Sequence, residues 1–129
     1  MVLLVAGLAT CAATSTSLAG QISYYCSVRN VYHLGDDATI SKNPRDTLAM
    51  RNATFRVDRM TGFVAGEKIP AIQSRQSQVL SSGDGENPFK SYFKDYNFTS
   101  YLEIYEHKKG PQKPFILHDA DVVYTGFCE

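Results

Sequence analysis

Hydrophobic and polar positions alternate along most of this chain. Between residues 22 and 34, Ile22, Tyr24, Cys26, Val28, Tyr32 and Leu34 share one parity, and Ser23, Ser27, Arg29 and His33 take the other. A period of two is the mark of a strand with one buried face. It turns Cys26 inward. Gly35-Asp36-Asp37 then reads as a turn, and residues 38–41 as a short strand. Pro44 follows Asn43 in the early position that helices tolerate, so residues 42–50 can form one or two helical turns. Residues 54–66 hold two β-prone runs around a turn ending in Gly62, which is a hairpin signal. Residues 69–72 contain Pro70 and read as a connection, residues 76–80 as a strand, and residues 81–88 as a clear loop.

Residues 89–98 are aromatic but irregular, carrying Phe89, Tyr92, Phe93, Tyr96 and Phe98. Clean alternation returns at 100–106, where Leu102 and Ile104 oppose Tyr101, Glu103 and Tyr105. A turn at 107–111 leads to a strand over 114–118, headed by a proline that a strand start accepts. In the last run Val122, Tyr124, Gly126 and Cys128 share a parity against Val123, Thr125 and Phe127. About seven or eight short strands with closely spaced turns predict an all-β fold, a small antiparallel sandwich or barrel with at most one short helix. No long amphipathic helix separates the strands, which argues against parallel βαβ units.

The front of the chain reads differently. The first charge of either sign is Arg29, and residues 2–13 are almost wholly apolar. A span needs about 20 such residues, so this run is too short to cross a bilayer. It matches the apolar centre of a secretory signal, with Ser17-Leu18-Ala19 at the cleavage spacing. The expected organisation is therefore a signal peptide over 1–19 and a single exported domain over 20–129. Its destination would be the periplasm or the medium of a bacterium. A rival reading takes Leu8-Ala9-Thr10-Cys11 as a lipid-attachment box. Thr fits poorly before the cysteine, so loss of Cys11 with the signal is preferred.

Cleavage would leave Cys26 and Cys128, an even count that reads as one disulfide in an exported domain. A bridge closing a loop of roughly 100 residues is worth about 4.7 kcal/mol in the chain-entropy model. It would tie the first strand to the last. Nothing beside either cysteine supplies a base for catalysis, and two thiols without a paired histidine spacing make a poor zinc site.

The 129 residues carry 13 Lys+Arg against 13 Asp+Glu, so the formal charge is zero and the basic excess of a nucleic-acid binder is missing. At 43% hydrophobic and 20% charged, the chain is too apolar for disorder. No motif names a reaction. His118, Asp119 and Asp121 are the densest polar group, but in a strand His118 points away from Asp119. Glu103, Glu106 and His107 would need a helix to converge, and their segment alternates as a strand. No GxSxG elbow accompanies the serines at 81 and 82. Asp36-Asp37 and Asp84-Gly85-Glu86 lack the spaced ligands of a calcium loop. No catalytic residue, metal site or cofactor is therefore expected. The candidate binding residues are Ser81, Ser82 and Gly83 on the loop, where β scaffolds carry function, and Tyr101 and Tyr105 as exposed aromatic surface. Asn52-Ala53-Thr54 and Asn97-Phe98-Thr99 match the glycosylation sequon, which has meaning only in a eukaryotic source.

Tyr25-Cys26-Ser27-Val28, the run from Phe55 to Gly62, Lys113-Pro114-Phe115 and the closing Tyr124-Thr125-Gly126-Phe127-Cys128-Glu129 together resemble short exported proteobacterial proteins of unknown function. That resemblance implies a periplasmic β domain and assigns no activity. Tyr24-Tyr25-Cys26 and Ser81-Ser82-Gly83 also resemble the Tyr-x-Cys start and Ser-Gly loop of the periplasmic C-type lysozyme inhibitors. This implies a small barrel that blocks a cell-wall hydrolase through its 81–88 loop. The cysteine layout and the aromatic partners of that loop differ from the inhibitors' pattern. The functional expectation is a non-enzymatic binding or envelope-associated module for a protein or small-molecule ligand, with hydrolase inhibition as the alternative.

Overall fold

The computed structural model describes residues 22–129; the expected signal peptide over 1–19, the expected cleavage point and Cys11 lie outside the described residues. The chain runs β1 (Ser23–Leu34), β2 (Ile40–Lys42), α1 (Pro44–Met50), β3 (Thr54–Asp58), β4 (Val64–Ala65), α2 (Pro70–Gln73), β5 (Gln76–Ser82), β6 (Phe89–Lys94), β7 (Thr99–Ile104), β8 (Lys113–Asp119) and β9 (Val122–Cys128). Eight strands form one antiparallel sheet in the order β4-β3-β1-β9-β8-β7-β6-β5, curled into a nearly closed barrel, and β2 adds to β1. The expected all-β barrel is what forms, with two short helices in place of one.

Strand β1 is the spine. It pairs with β9 along one edge, and its other edge is shared by β3 at the start and β2 at the end. Its register slips between Val28 and Asn30, a bulge that adds one residue on β1. The slip changes which parity faces inward. Tyr24, Cys26 and Val28 are buried as the alternation predicts, but beyond the bulge Val31 is the inward residue and Leu34 is exposed. The connection from α1 to β3 docks there, with Asn52 N donating to the Val28 carbonyl and Val28 N to the Ala53 carbonyl. Helix α1 starts as its sequence asks, the Asn43 side chain accepting from Asp46 N with Pro44 in the first turn. Its buried Thr47 hydroxyl accepts from Val31 N, fixing the helix to the far half of β1.

Residues 89–94 form a regular strand, contrary to the irregular reading. Phe89, Ser91 and Phe93 face inward, while Lys90 and Tyr92 face outward. A serine inside and a tyrosine outside hid the period. The interior is occupied by side chains: Tyr24 packs against Phe89 at 5.1 Å and Phe55 against Phe115 at 5.2 Å between ring centroids, with Leu102, Ile104 and Leu117 fully buried among them.

Cys26 and Cys128 face each other across β1 and β9 and are joined, their Cα atoms 4.0 Å apart over a separation of 102 residues. The neighbouring Tyr25 and Glu129 exchange both backbone hydrogen bonds, at 2.9 and 3.0 Å. The cysteines therefore occupy the adjacent narrow position, where antiparallel side chains come closest. No described helix is long and apolar enough to cross a membrane. Replacing both cysteines by alanine should lower unfolding free energy by about 2–5 kcal/mol, read as a lower urea midpoint; an unchanged midpoint would mean the bridge does not constrain the unfolded chain.

Candidate functional site

The loop after β5 rests on a buried carboxylate. Glu106 lies two residues beyond the end of β7, its side chain 1% exposed. Its Oε1 meets Nη2 of Arg59 at 2.9 Å and accepts from the Tyr24 hydroxyl, while its Oε2 accepts from Gly85 N at 2.8 Å. Arg59 lies just past β3. Its Nε and Nη2 donate to the carbonyls of Ser82 and Gly83, both at 2.9 Å, and its guanidinium sits 5.1 Å over the Tyr24 ring. Burial, the hydrogen bond to Glu106 and its negative charge drive the Tyr24 phenol pKa well upward, so it stays a proton donor. An ionised carboxylate here is tolerable because three donors converge on it.

Gly83 enters the loop with φ of 67°, and a methyl on it would stand 2.8 Å from the Glu106 carboxylate. Glycine is needed on both counts. Above it Asp84 holds the tip, accepting from Asn87 N at 2.7 Å, Asn87 Nδ2 at 2.9 Å and Glu86 N at 3.0 Å. These bonds, led by the Asn87 side chain, hold the Asp84 pKa below the usual carboxylate value. The Ser81 hydroxyl closes the base by donating to the Pro88 carbonyl at 2.9 Å. The loop at 83–88 is thus fastened at its base, floor and tip while its side chains face solvent.

A second ionic group closes the other end of the barrel. Arg75, before β5, binds Asp95 at 3.1 Å and Asp119 at 2.5 Å, and the Ser100 hydroxyl donates to Asp119 at 2.8 Å. Burial works against the Arg75 charge, yet Asp119 and Asp95 outweigh it and raise the pKa. This group joins β5, β8 and the turn from β6 to β7.

Ser81 and Ser82 are the last residues of β5, not loop residues, and with Gly83 they meet Arg59 and Glu106. Tyr101 and Tyr105 lie apart from them, on the outer face of β7 and just beyond it. The Tyr101 hydroxyl donates to Glu103 at 3.1 Å, and burial followed by that carboxylate pushes its pKa up to about 12. Asp119 turns inward to Arg75 while its neighbour His118 is exposed, the divergence that the strand reading predicts. Among the described residues no three His, Cys, Asp or Glu side chains group as metal ligands. A groove of about 740 Å³ beside β1 and β3 mixes Arg56, Glu67, Lys68 and Glu129 without drawing them into one cluster.

Sequence reasoning missed Arg59 and Arg75. A signal existed: Arg59 continues the inward parity of Phe55 and Val57, and Arg75 that of Ser77 and Val79. No family model, curated protein or solved structure matches the chain. Its class therefore rests on its own geometry, a nearly closed antiparallel barrel with one disulfide among the described residues and two buried arginine clusters.

Arg59→Met should cost about 3–5 kcal/mol, since it leaves the Glu106 charge buried and uncompensated, and Glu106→Gln should destabilise in the same direction. Hydrogen exchange at Gly85 should then accelerate; unchanged exchange would mean the loop does not depend on the carboxylate. The pH dependence follows from Asp58, Asp84 and Asp95, all held below the usual 3.8 by hydrogen bonds within their turns. The unfolded chain binds these protons more tightly. Stability should be level above about pH 5 and fall as pH drops through the folded values, measured by urea titration from neutral pH to about pH 2.5.

Proposed function

We propose that this is an exported, non-enzymatic β domain that binds a macromolecular partner through its 83–88 loop. The observation carrying this reading is that the loop is fixed before anything binds it. Ordering a flexible side chain at an interface costs about 0.5–1.5 kcal/mol, and a fastened loop avoids much of that. The groups that would serve acid–base chemistry, Glu106 and Asp119, are engaged in holding the barrel together. The disulfide fits an oxidising compartment, and the apolar first segment supports export by a signal peptide to the periplasm or beyond.

A second reading, inhibition of a cell-wall hydrolase, is favoured by the form of the loop. It is stiff, exposed at one end of a rigid barrel, and carries the solvent-facing Glu86 at its tip. Such a loop can enter a cleft as one body. The likeness of Ser81-Ser82-Gly83 to the lysozyme inhibitors' loop points the same way.

The test uses residues 20–129 with a C-type lysozyme. Inhibition by the wild-type chain, weakened about tenfold by Asp84→Ala with circular dichroism unchanged, is the expected outcome of the inhibitor reading. No inhibition and no binding would remove that reading. The broader one is checked by a photo-crosslinker at position 86 in envelope extract. A specific adduct lost in Asp84→Ala supports loop recognition, and an adduct pattern indifferent to that change overturns it.

A further inference from the structure

The formal neutrality of the chain conceals a segregation of charge. Of the 13 acidic residues, Glu103 alone points outward from the sheet formed by β1 and β5–β9, and it is already matched by Lys90 at 3.6 Å and by the Tyr101 hydroxyl. The same outer surface carries Arg29, Lys90 and Lys94, with Lys42 at its border. The remaining carboxylates lie in turns, in α1, inside the barrel or at the chain end.

Across this surface the register lines up one row. Gln78 faces Tyr92, Tyr92 faces Tyr101, Tyr101 faces His118, His118 faces Val123, Val123 faces Tyr32, and Tyr32 faces Lys42. The tyrosines do not stand off the sheet. Tyr92 bonds sideways to Gln78 at 2.7 Å and Tyr101 to Glu103, so their rings lie along the surface, partly buried. Beside the row is a groove of about 330 Å³. Its walls include Tyr105, Ile116 and Phe127, with Asn30 and Thr125 as polar groups and Arg29 at the rim. Phe127 is 41% exposed there. One Arg29 N–H goes to Asn52 at 3.1 Å, and the guanidinium has further donors for a carboxylate.

Flat aromatic rings receive the apolar faces of sugars. An amide and a hydroxyl between them hydrogen-bond sugar hydroxyls, and cations with no free carboxylate nearby select an acidic chain. We infer that the outer face of β7, β8, β9 and β1 binds an acidic, carboxylate-bearing polysaccharide, seated in the groove beside Arg29 and running over the tyrosine row. This surface lies on the barrel wall, whereas the 83–88 loop lies at its end, so the two sites are independent.

The experiment is a calorimetric and NMR titration of residues 20–129 with hexagalacturonate, using maltohexaose as the neutral control. Saturable binding of the acidic oligomer alone is expected, with the tyrosine and His118 resonances moving and affinity falling as salt rises. Tyr101→Ala, Phe127→Ala and Arg29→Gln should each weaken binding about tenfold. All three side chains point outward, and unchanged circular dichroism confirms that the fold survives. Asp84→Ala should leave glycan binding unaltered, which separates this site from loop recognition. Equal binding of the neutral oligomer, no binding of either at millimolar concentration, or indifference to all three substitutions would overturn the inference.

Discussion

One buried carboxylate decides how this barrel closes. Strand β4 is two residues long and hydrogen-bonds only to β3, so no ladder crosses from β4 to β5. An open seam would leave strand edges to the solvent. The turn after β3 covers it instead. The Ser77 hydroxyl donates to the Thr61 carbonyl at 3.0 Å, and Arg59 takes the carbonyls at the end of β5. Arg59 can stay buried there because Glu106 neutralises it, and Glu106 can stay because Arg59, Tyr24 and Gly85 all donate to it. Closure at this end is thus electrostatic where a longer β4 would have made it a matter of backbone pairing. Arg75 does not cross the seam; at the other end it ties the start of β5 to the turn after β6 and to the end of β8 through Asp95 and Asp119.

The disulfide acts at right angles to this closure. It locks the middle of the sheet, where β1 meets β9, and leaves the seam between β4 and β5 to Arg59 and the turn after β3. The division suits a barrel made by a chain whose first and last strands are neighbours. The bridge restricts the unfolded ensemble over almost the whole described length, whereas the buried ion pairs act on the folded state, selecting one seam geometry at a desolvation cost. Loss of an arginine therefore destabilises the folded state and loosens its particular loop or turn most, while loss of the bridge acts by freeing the unfolded chain.

Much of this was legible in the chain. Period-two alternation in 24–28, 100–106 and 122–128 located three strands and their inward faces, and with them the meeting of Cys26 and Cys128, whereas Ile22, read as inward, lies ahead of β1 and is exposed. Two failures have a common cause. The bulge in β1 shifted the parity beyond Val28, and the inward Ser91 masked the strand at 89–94; each breaks a local pattern that tertiary contacts restore. The ion clusters are legible in the same pattern, although only their acids Glu106 and Asp119 stand out from the sequence. Arg59, Arg75, Asp95, Ser100, Glu106 and Asp119 all continue the buried parity of their strands to the ends, where the barrel's rims lie. A charged residue on an inward parity must find an opposite charge. Two arginines and three carboxylates so placed announce rim clusters, though parity alone does not say which arginine meets which acid.

The same parity argument gives the outer face its meaning. Once the inward positions are assigned to packing and closure, the outward ones owe nothing to the core. On β1 and β5–β9 they include Tyr25, Tyr32, Tyr92, Tyr101 and Phe127, a heavy aromatic content for the wet side of a sheet, with Glu103 the one carboxylate. Threonine would satisfy strand propensity there equally well. Tyrosine adds area that stacks at little entropic cost, and a partner of like chemistry is what repays that exposure. The loop at 83–88 offers the opposite character: small residues, hydrogen-bonded tightly, with acids at the tip. A single barrel thus presents two surfaces of contrasting charge, and Arg59 and Glu106 hold the loop at its end of the barrel.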